Sequence, residues 1–186
     1  IIEVTKPNKK ADFPPTGTFE WDEKQIHIMA KTSSDSQLVR QLHYMATQLS
    51  IDHMGPSLVE RLVNKGIDSL EGIFALDINT LCELERMGEK SATRLLDSIA
   101  KAKSSATLLD YMVASGCFEG GIGREKLEKV VSSLSKDQLL VSPIKKEIFD
   151  NIDMIGPKSI PHLHSGLSSF RKWAKKNKIN TATKSR

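Results

Sequence analysis

The feature that most constrains this chain is a glycine that recurs with an apolar residue before it and a polar start to a helix after it. The four copies are IDHMGPSLVERLV at 51–63, LERMGEKSATRLL at 84–96, FEGGIGREKLEKVV at 118–131 and IDMIGPKSIPHLH at 152–164. The key glycines are Gly55, Gly88, Gly123 and Gly156, and the spacings between them are 33, 35 and 33 residues. Four matches at nearly constant spacing indicate one supersecondary unit that is repeated along the chain.

Between these glycines, apolar residues recur at the period of a helix. The segment 37–49, for example, places Leu38, Leu42 and Met45 on one face, and no segment between 36 and 175 alternates at period two. We therefore predict an all-α fold of four tandem helical hairpins in two paired units, 36–105 and 106–175. Pro56 and Pro157 each follow a key glycine and predict the first position of the next helix.

The two ends of the chain differ from this pattern. Residues 1–35 form a predicted connector, with a strand end at IIEV, a Pro-rich stretch at KPNKKADFPPTG and a small β-hairpin in TFEWDEKQIHIMA. The residues after Trp173 are basic and polar, so we predict that they are disordered, with a basic tail at 176–186.

The charge distribution restricts how the chain could bind a polyanion. The chain has 27 basic and 23 acidic residues, and residues 171–186 contain seven basic residues and no acidic one, so residues 1–170 carry a net charge of −3. A protein that binds a polyanion through a broad basic face carries more positive charge than this. Contacts with nucleic acid would therefore depend on backbone N–H groups and a few well-placed cations.

The composition also excludes several classes of protein. Two cysteines without a Cys-x-x-Cys pair argue against a disulfide framework and favour reduced thiols in an intracellular protein. The sequence has no apolar run long enough to cross a membrane and no signal-peptide pattern. We therefore expect a cytoplasmic location.

Each glycine turn is suited to hold a phosphate. A glycine with positive φ would orient successive N–H groups to one side, and the next helix would add its unpaired N–H groups and its dipole. The Met or Ile before the glycine is expected to face inward. The candidate phosphate-binding residues are Gly55, Ser57, Arg86, Gly88, Lys90, Ser91, Gly121, Gly123, Arg124, Gly156, Lys158 and Ser159. The alternative interpretation is that each glycine merely caps one helix before the next begins.

These turns resemble helix-hairpin-helix motifs, in which apolar-x-Gly-apolar-Gly grips a phosphate. Only the third turn has both glycines, and the first glycine is replaced in the others by His53, Arg86 and Met154. Together with the segment 37–66, LERMGEKSATRLLDSIAKAKSS at 84–105 closely resembles the helix-hairpin-helix domain of bacterial NAD-dependent DNA ligases. The resemblance covers roughly 37–170. Because Met154 departs most from the motif, we expect its hairpin to serve as scaffolding.

Several parts of that ligase family have no counterpart here. The slot of its four-cysteine zinc module falls at 13–36, which contains no cysteine, and His27 and His43 alone cannot build a tetrahedral site, so no metal is expected. We expect no counterpart of its C-terminal BRCT domain within these 186 residues. The adenylated lysine of Lys-x-Asp-Gly is also absent, because the nearest string, KADF at 10–13, lacks the glycine. We therefore predict no catalytic residue in this chain.

The resemblance implies the non-catalytic part or subunit of such a ligase, in a bacterial cell or a host infected by a bacteriophage that carries a split or trimmed enzyme. Its partners would be nicked double-stranded DNA, gripped without sequence specificity, and the adenylation and OB-fold portion of the ligase. NAD would belong to the whole ligase, with no cofactor bound by this chain. The alternatives are a stand-alone DNA-binding scaffold of repair or recombination and a protein-interaction module.

Overall fold

A computed structural model of the chain describes residues 19–21, 28–30, 34–141 and 145–179. Contacts divide the chain into two units, residues 1–37 and 38–186. In the first unit, β1 (Phe19–Trp21) pairs antiparallel with β2 (Ile28–Ala30), with Phe19 opposite Ala30. This pairing confirms the predicted hairpin. The predicted strand end at IIEV and the Pro-rich stretch lie outside the described residues.

The second unit is built from helices, which confirms the all-α prediction for the repeated region. The helices are α1 (Ser34–Gln48), α2 (Pro56–Asn64), α3 (Leu70–Phe74), α4 (Ile78–Cys82), α5 (Glu89–Ser105), α6 (Leu108–Ala114), α7 (Arg124–Ser133), α8 (Lys136–Leu140) and α9 (Ile160–Lys176), with a 3-10 helix at Lys146–Asn151. None of the helices in the described part of the chain has the length and apolar character to span a bilayer.

The order of elements repeats within this unit. Each half contains a helix, a glycine turn and a second helix, then a short linking helix and another helix–turn–helix. We call the four turns corner 1 (residues 51–55), corner 2 (84–88), corner 3 (119–123) and corner 4 (152–156). The helices that follow them are α2, α5, α7 and α9. We call the hairpins around corners 1 and 2 the first pair and those around corners 3 and 4 the second pair. Residues 38–186 belong to one compact unit, so the division into two paired units, 36–105 and 106–175, stays a prediction.

The apolar face of each helix supplies the core. Leu42 on α1, Leu62 on α2 and Leu95 on α5 are each at most 1% exposed. Burying a side chain of this size contributes about 1.5–3 kcal/mol, which the short helices need because few of them would be stable alone. The residues before the key glycines also face inward as predicted: Met54, Ile122 and Ile155 are buried, and Met87 is half-buried.

The C-terminal segment corrects one prediction. Helix α9 continues to Lys176, and Asn177 is only 5% exposed. Its Oδ1 accepts a hydrogen bond from the Glu71 N–H at 3.2 Å, and its Nδ2 donates to the Trp173 carbonyl at 2.9 Å. The prediction of disorder after Trp173 was therefore wrong for residues 174–179, because a buried amide with paired donors and acceptors fixes the backbone around it.

Candidate functional site

The four corners share a positive φ at one position, and corner 3 has a second one at Gly120, where φ is 65°. In corner 2 the Met87 N–H donates to the Leu84 carbonyl at 3.1 Å, and the equivalent bond in corner 4 is also 3.1 Å. The third residue of each four-residue turn has positive φ: 65° at His53, 60° at Arg86, 77° at Gly121 and 66° at Met154. Corners 1, 2 and 4 therefore adopt the conformation of a glycine turn without a glycine at that position.

The predicted place of the positive φ was wrong. The key glycines Gly55, Gly88 and Gly123 have φ values of −74°, −89° and −88°, which any residue can adopt. Each is the cap residue before a helix, where extended backbone is required while the carbonyl accepts the first helical hydrogen bonds. The Gly88 carbonyl, for example, accepts from the N–H groups of Ser91 and Ala92, both at 3.0 Å.

The helices that leave the corners differ from the other helices in how they begin. The cap residues of α3, α4, α6 and α8 each accept a backbone N–H bond through a side-chain oxygen and are Ser69, Asp77, Thr107 and Ser135. At α2, α5 and α7 the cap residue is a glycine, which contributes no side-chain bond. The third N–H groups of α2 and α5, on Leu58 and Ser91, bond to the cap carbonyls at 3.0 Å, so the N–H groups left for a ligand are those before them.

The space above the key glycines is open. A Cβ atom built on Gly55, Gly88, Gly123 or Gly156 would have no heavy atom within 4 Å. All four glycines are exposed. An anion could therefore approach the N–H groups at the start of α2, α5 and α7, where the positive end of the helix dipole also lies.

Corner 4 differs from the other three. Ser159 rather than a glycine caps α9, which begins at Ile160, so Pro157 lies in the turn and not at the first helical position that was predicted for it. Pro56, in contrast, does begin α2. Ser159 is only 8% exposed, and its Oγ accepts a hydrogen bond from Lys126 Nζ at 3.2 Å. Its hydroxyl is thus used within the protein, whereas Lys158 is exposed.

The other side chains that were predicted to bind phosphate also lie at the corners, and they differ in how firmly other residues hold them. Ser57, Lys90 and Ser91 are exposed in the first turns of α2 and α5. The Arg86 side chain is 87% exposed, and its Nε lies 3.4 Å from the Glu85 carboxylate. Such an exposed pair contributes little to stability, so Arg86 can reorient towards a ligand at small cost.

Arg124 is held more firmly than the other predicted cations. Its guanidinium donates to Asp110 Oδ1 at 2.5 Å, and the two side chains are 53% and 22% exposed. Burial raises the pKa of Asp110, but hydrogen bonds from Thr107 and the Arg124 guanidinium outweigh burial and hold that pKa below its usual value. Part of the Arg124 charge is therefore balanced within the protein.

A further residue at the corners, Arg61, was missed by the sequence interpretation. Its Nε donates to the Ser57 carbonyl at 3.2 Å, and its guanidinium also donates to the carbonyl of Glu85 in the neighbouring hairpin. With Glu60 and Arg86, these residues line a groove of about 340 Å³ between α2 and corner 2. A pattern in the sequence could have pointed to Arg61, because a basic residue stands six positions after every key glycine. These residues are Arg61, Arg94, Lys129 and His162.

The structure offers no metal centre in the residues it describes. Across 19–21, 28–30, 34–141 and 145–179, no group of three or more His, Cys, Asp or Glu side chains could hold a metal ion. His43 lies within these ranges, whereas His27 and most of the 13–36 slot lie outside them. The expectation that this slot binds no zinc therefore stays a prediction.

Comparison with known proteins gives a consistent result. Residues 47–101, which include corners 1 and 2, match a family described as a SAM-like helix-hairpin-helix tandem. The chain is 30% identical over 147 residues to DNA ligases of Legionella pneumophila strains Paris and Corby, and 34% identical over 105 residues to that of strain Lens. The first two alignments cover 77% of this chain but only 21% of each relative, so the chain spans about a fifth of their length. The chain therefore contains a helix-hairpin-helix tandem and is similar, over most of its length, to one segment of these DNA ligases.

Proposed function

We propose that this chain is the DNA-gripping part of an NAD-dependent DNA ligase, which holds nicked duplex DNA by its phosphate backbone. One observation carries the proposal: α2, α5 and α7 begin at exposed glycines, with open space above them and no side-chain cap. The similarity to a segment of DNA ligases supports the choice of DNA as the anion.

Corners 1, 2 and 3 would each hold one phosphate group through backbone N–H groups, with help from the exposed Lys90 at corner 2. Corner 4, whose following helix is capped by the buried Ser159, would serve as scaffolding. Because every nucleotide has the same backbone, such contacts position the protein without reading the sequence. The first hairpin pair would place its two corners on the two strands that border the minor groove. This mode of binding suits a chain whose first 170 residues carry no net positive charge.

The chemistry of nick sealing would take place in another part of the ligase. There, a lysine would take AMP from NAD and pass it to the 5′-phosphate of the nick, which the 3′-hydroxyl would then attack. This chain would contribute binding energy and alignment, since holding the two ends of the nick in line lowers the barrier without supplying a reacting group. Its partners would be nicked DNA and the adenylation and OB-fold portion, in the same chain or on a separate subunit.

The proposal can be tested by measuring the affinity of the chain for a fluorescently labelled nicked duplex at several salt concentrations. Lys90→Glu and Gly123→Val should each weaken binding about tenfold or more, because a charged hydrogen bond contributes about 1.5–3 kcal/mol. The valine fits the fold, since Gly123 has φ −88° and open space around its Cβ position, but its side chain would cover the N–H groups. Lys101→Glu, an equal charge change at an exposed site near the other end of α5, is the matched control.

The outcomes separate the candidate functions. If wild type binds and both corner variants bind equally well, the corners do not hold DNA. If wild type does not bind any duplex at low salt, the protein-interaction alternative is favoured. A stand-alone DNA-binding scaffold would show the predicted losses but would not stimulate nick sealing by an adenylation and OB-fold portion added to the same reaction.

A further inference from the structure

Three corners keep a glycine-type conformation with a residue that is not glycine. His53, Arg86 and Met154 all have φ between 60° and 66°, a region in which the Cβ atom of an L-residue crowds the neighbouring carbonyl. Such a conformation persists only where the surrounding structure holds it in place.

In corner 2 the contact is made to the central peptide of the turn, which joins Glu85 to Arg86. Rotating this peptide by half a turn would give Arg86 a negative φ and convert the turn into a commoner type. The Glu85 carbonyl is fixed by the guanidinium of Arg61, which also donates to the Ser57 carbonyl on its own helix. Because the peptide is planar and trans, fixing this carbonyl also fixes the direction of the Arg86 N–H on the opposite side.

Corners 1 and 4 have a contact at the equivalent residue, three positions before the key glycine. The Asp52 N–H in corner 1 donates to Ser98 Oγ on α5 at 2.8 Å. The Asp153 carboxylate in corner 4 lies 3.1 Å from Lys129 Nζ on α7. As in corner 2, the contact comes from the second helix of the paired hairpin, but neither contact is made to the central peptide of the turn, and the ion pair in corner 4 is exposed.

Corner 3 is the informative exception. Its equivalent residue, Gly120, packs so closely against His162 on α9 that an added Cβ would lie 2.5 Å from the imidazole ring. The contact again comes from the paired hairpin, but it involves packing and not a hydrogen bond or ion pair. Gly120 and Gly121 both have positive φ, 65° and 77°, which glycine adopts without steric cost. Corner 3 thus has glycine at both central positions of its turn and needs no contact to hold a residue with a side chain in this conformation.

We propose that Arg61 is a positioning residue that holds corner 2 in its phosphate-binding conformation from the neighbouring hairpin. This inference rests on the proposed function, because it names the residue that shapes a phosphate-binding turn. It also makes the first hairpin pair one binding unit, since corner 2 takes its shape from the second helix of the hairpin around corner 1.

The test is a cycle of four proteins: wild type, Arg61→Met, Arg86→Gly and the double variant. Arg61→Met should weaken binding to the nicked duplex about tenfold, the ratio that corresponds to about 1.4 kcal/mol. In the Arg86→Gly background, Arg61→Met should weaken binding less than twofold. A glycine at this position keeps its positive φ without help from the Arg61 guanidinium. An equal loss in both backgrounds would mean that Arg61 contacts DNA directly, and it would overturn the proposal.

A second measurement on the free protein keeps this inference separate from the proposed function. The backbone amide resonances of residues 85–89 should move when Arg61→Met is introduced into the wild-type protein. They should stay in place when Arg61→Met is introduced into the Arg86→Gly variant. If wild type fails to bind DNA, the proposed function falls, but these resonances still decide whether Arg61 shapes the corner. Equal shifts in both backgrounds would refute the positioning role even if DNA binding is observed.

Discussion

Gly88→Asp should stabilise the protein and at the same time weaken its binding to DNA. Gly88 caps α5 with φ −89° and ψ 162°, a conformation that aspartate readily adopts at this position. A Cβ atom there would meet no heavy atom within 4 Å, so the substitution needs no rearrangement. The new carboxylate would accept the N–H bonds at the start of α5 that we assign to a phosphate.

The size of both effects follows from this geometry. Aspartate is a better cap than glycine by a few tenths of a kcal/mol, and a negative charge at a helix N-terminus adds about 0.3–1 kcal/mol. The free energy of unfolding should therefore rise by about 0.5–1 kcal/mol, which for a domain of this size raises Tm by about 1–4 °C. Loss of the phosphate contacts, with repulsion added, should lower affinity at least tenfold and reduce the salt slope by about 0.9.

Thermal unfolding and fluorescence anisotropy on a nicked duplex would measure the two effects on the same preparation. Asn79→Asp is the matched control, because it adds the same charge to the first turn of α4, whose cap residue Asp77 already accepts the Thr80 N–H. This control should bind DNA nearly as well as wild type. If Gly88→Asp is stabilised and still binds with wild-type affinity and salt slope, the amides of corner 2 do not hold a phosphate.

Three further predictions concern stability. Phe170 is fully buried beside Trp173, with ring centroids 5.8 Å apart, so Phe170→Ala should lower the free energy of unfolding by about 3–5 kcal/mol in urea denaturation. Asn177→Ala should cost about 1–3 kcal/mol in the same assay, because it leaves the Glu71 N–H without its acceptor; no loss would mean that residues 177–179 are not docked. Because the fold lowers the pKa of Asp110, its contribution is present above its unfolded pKa and is lost as pH falls below about 4. The free energy of unfolding should therefore decline less steeply over this range in Asp110→Asn than in wild type, as urea titrations at a series of pH values would show.

The sequence alone predicted the features that depend on residues close together in the chain. Helical periodicity and the regular glycine spacing indicated helices joined by corners, and the alternation around Phe19 and Trp21 indicated the β-hairpin. Pro56 correctly marked the start of α2. The inward direction of the residue before each key glycine also followed from local pattern. Each of these features is set by hydrogen bonds and side-chain spacing within a few residues.

Only the tertiary structure decided how the corners are shaped and where the chain becomes ordered at its end. The bond from Arg61 to the Glu85 carbonyl joins residues 24 positions apart, and the bond from Glu71 to Asn177 joins residues 106 positions apart. Such pairs form because packing brings two helices together, so no pattern within either segment predicts them. The inward turn of Ser159 towards Lys126 has the same origin. Arg86 in place of the first motif glycine looked like a departure from the motif. It keeps the positive φ of a glycine because the contact that holds the turn comes from another hairpin.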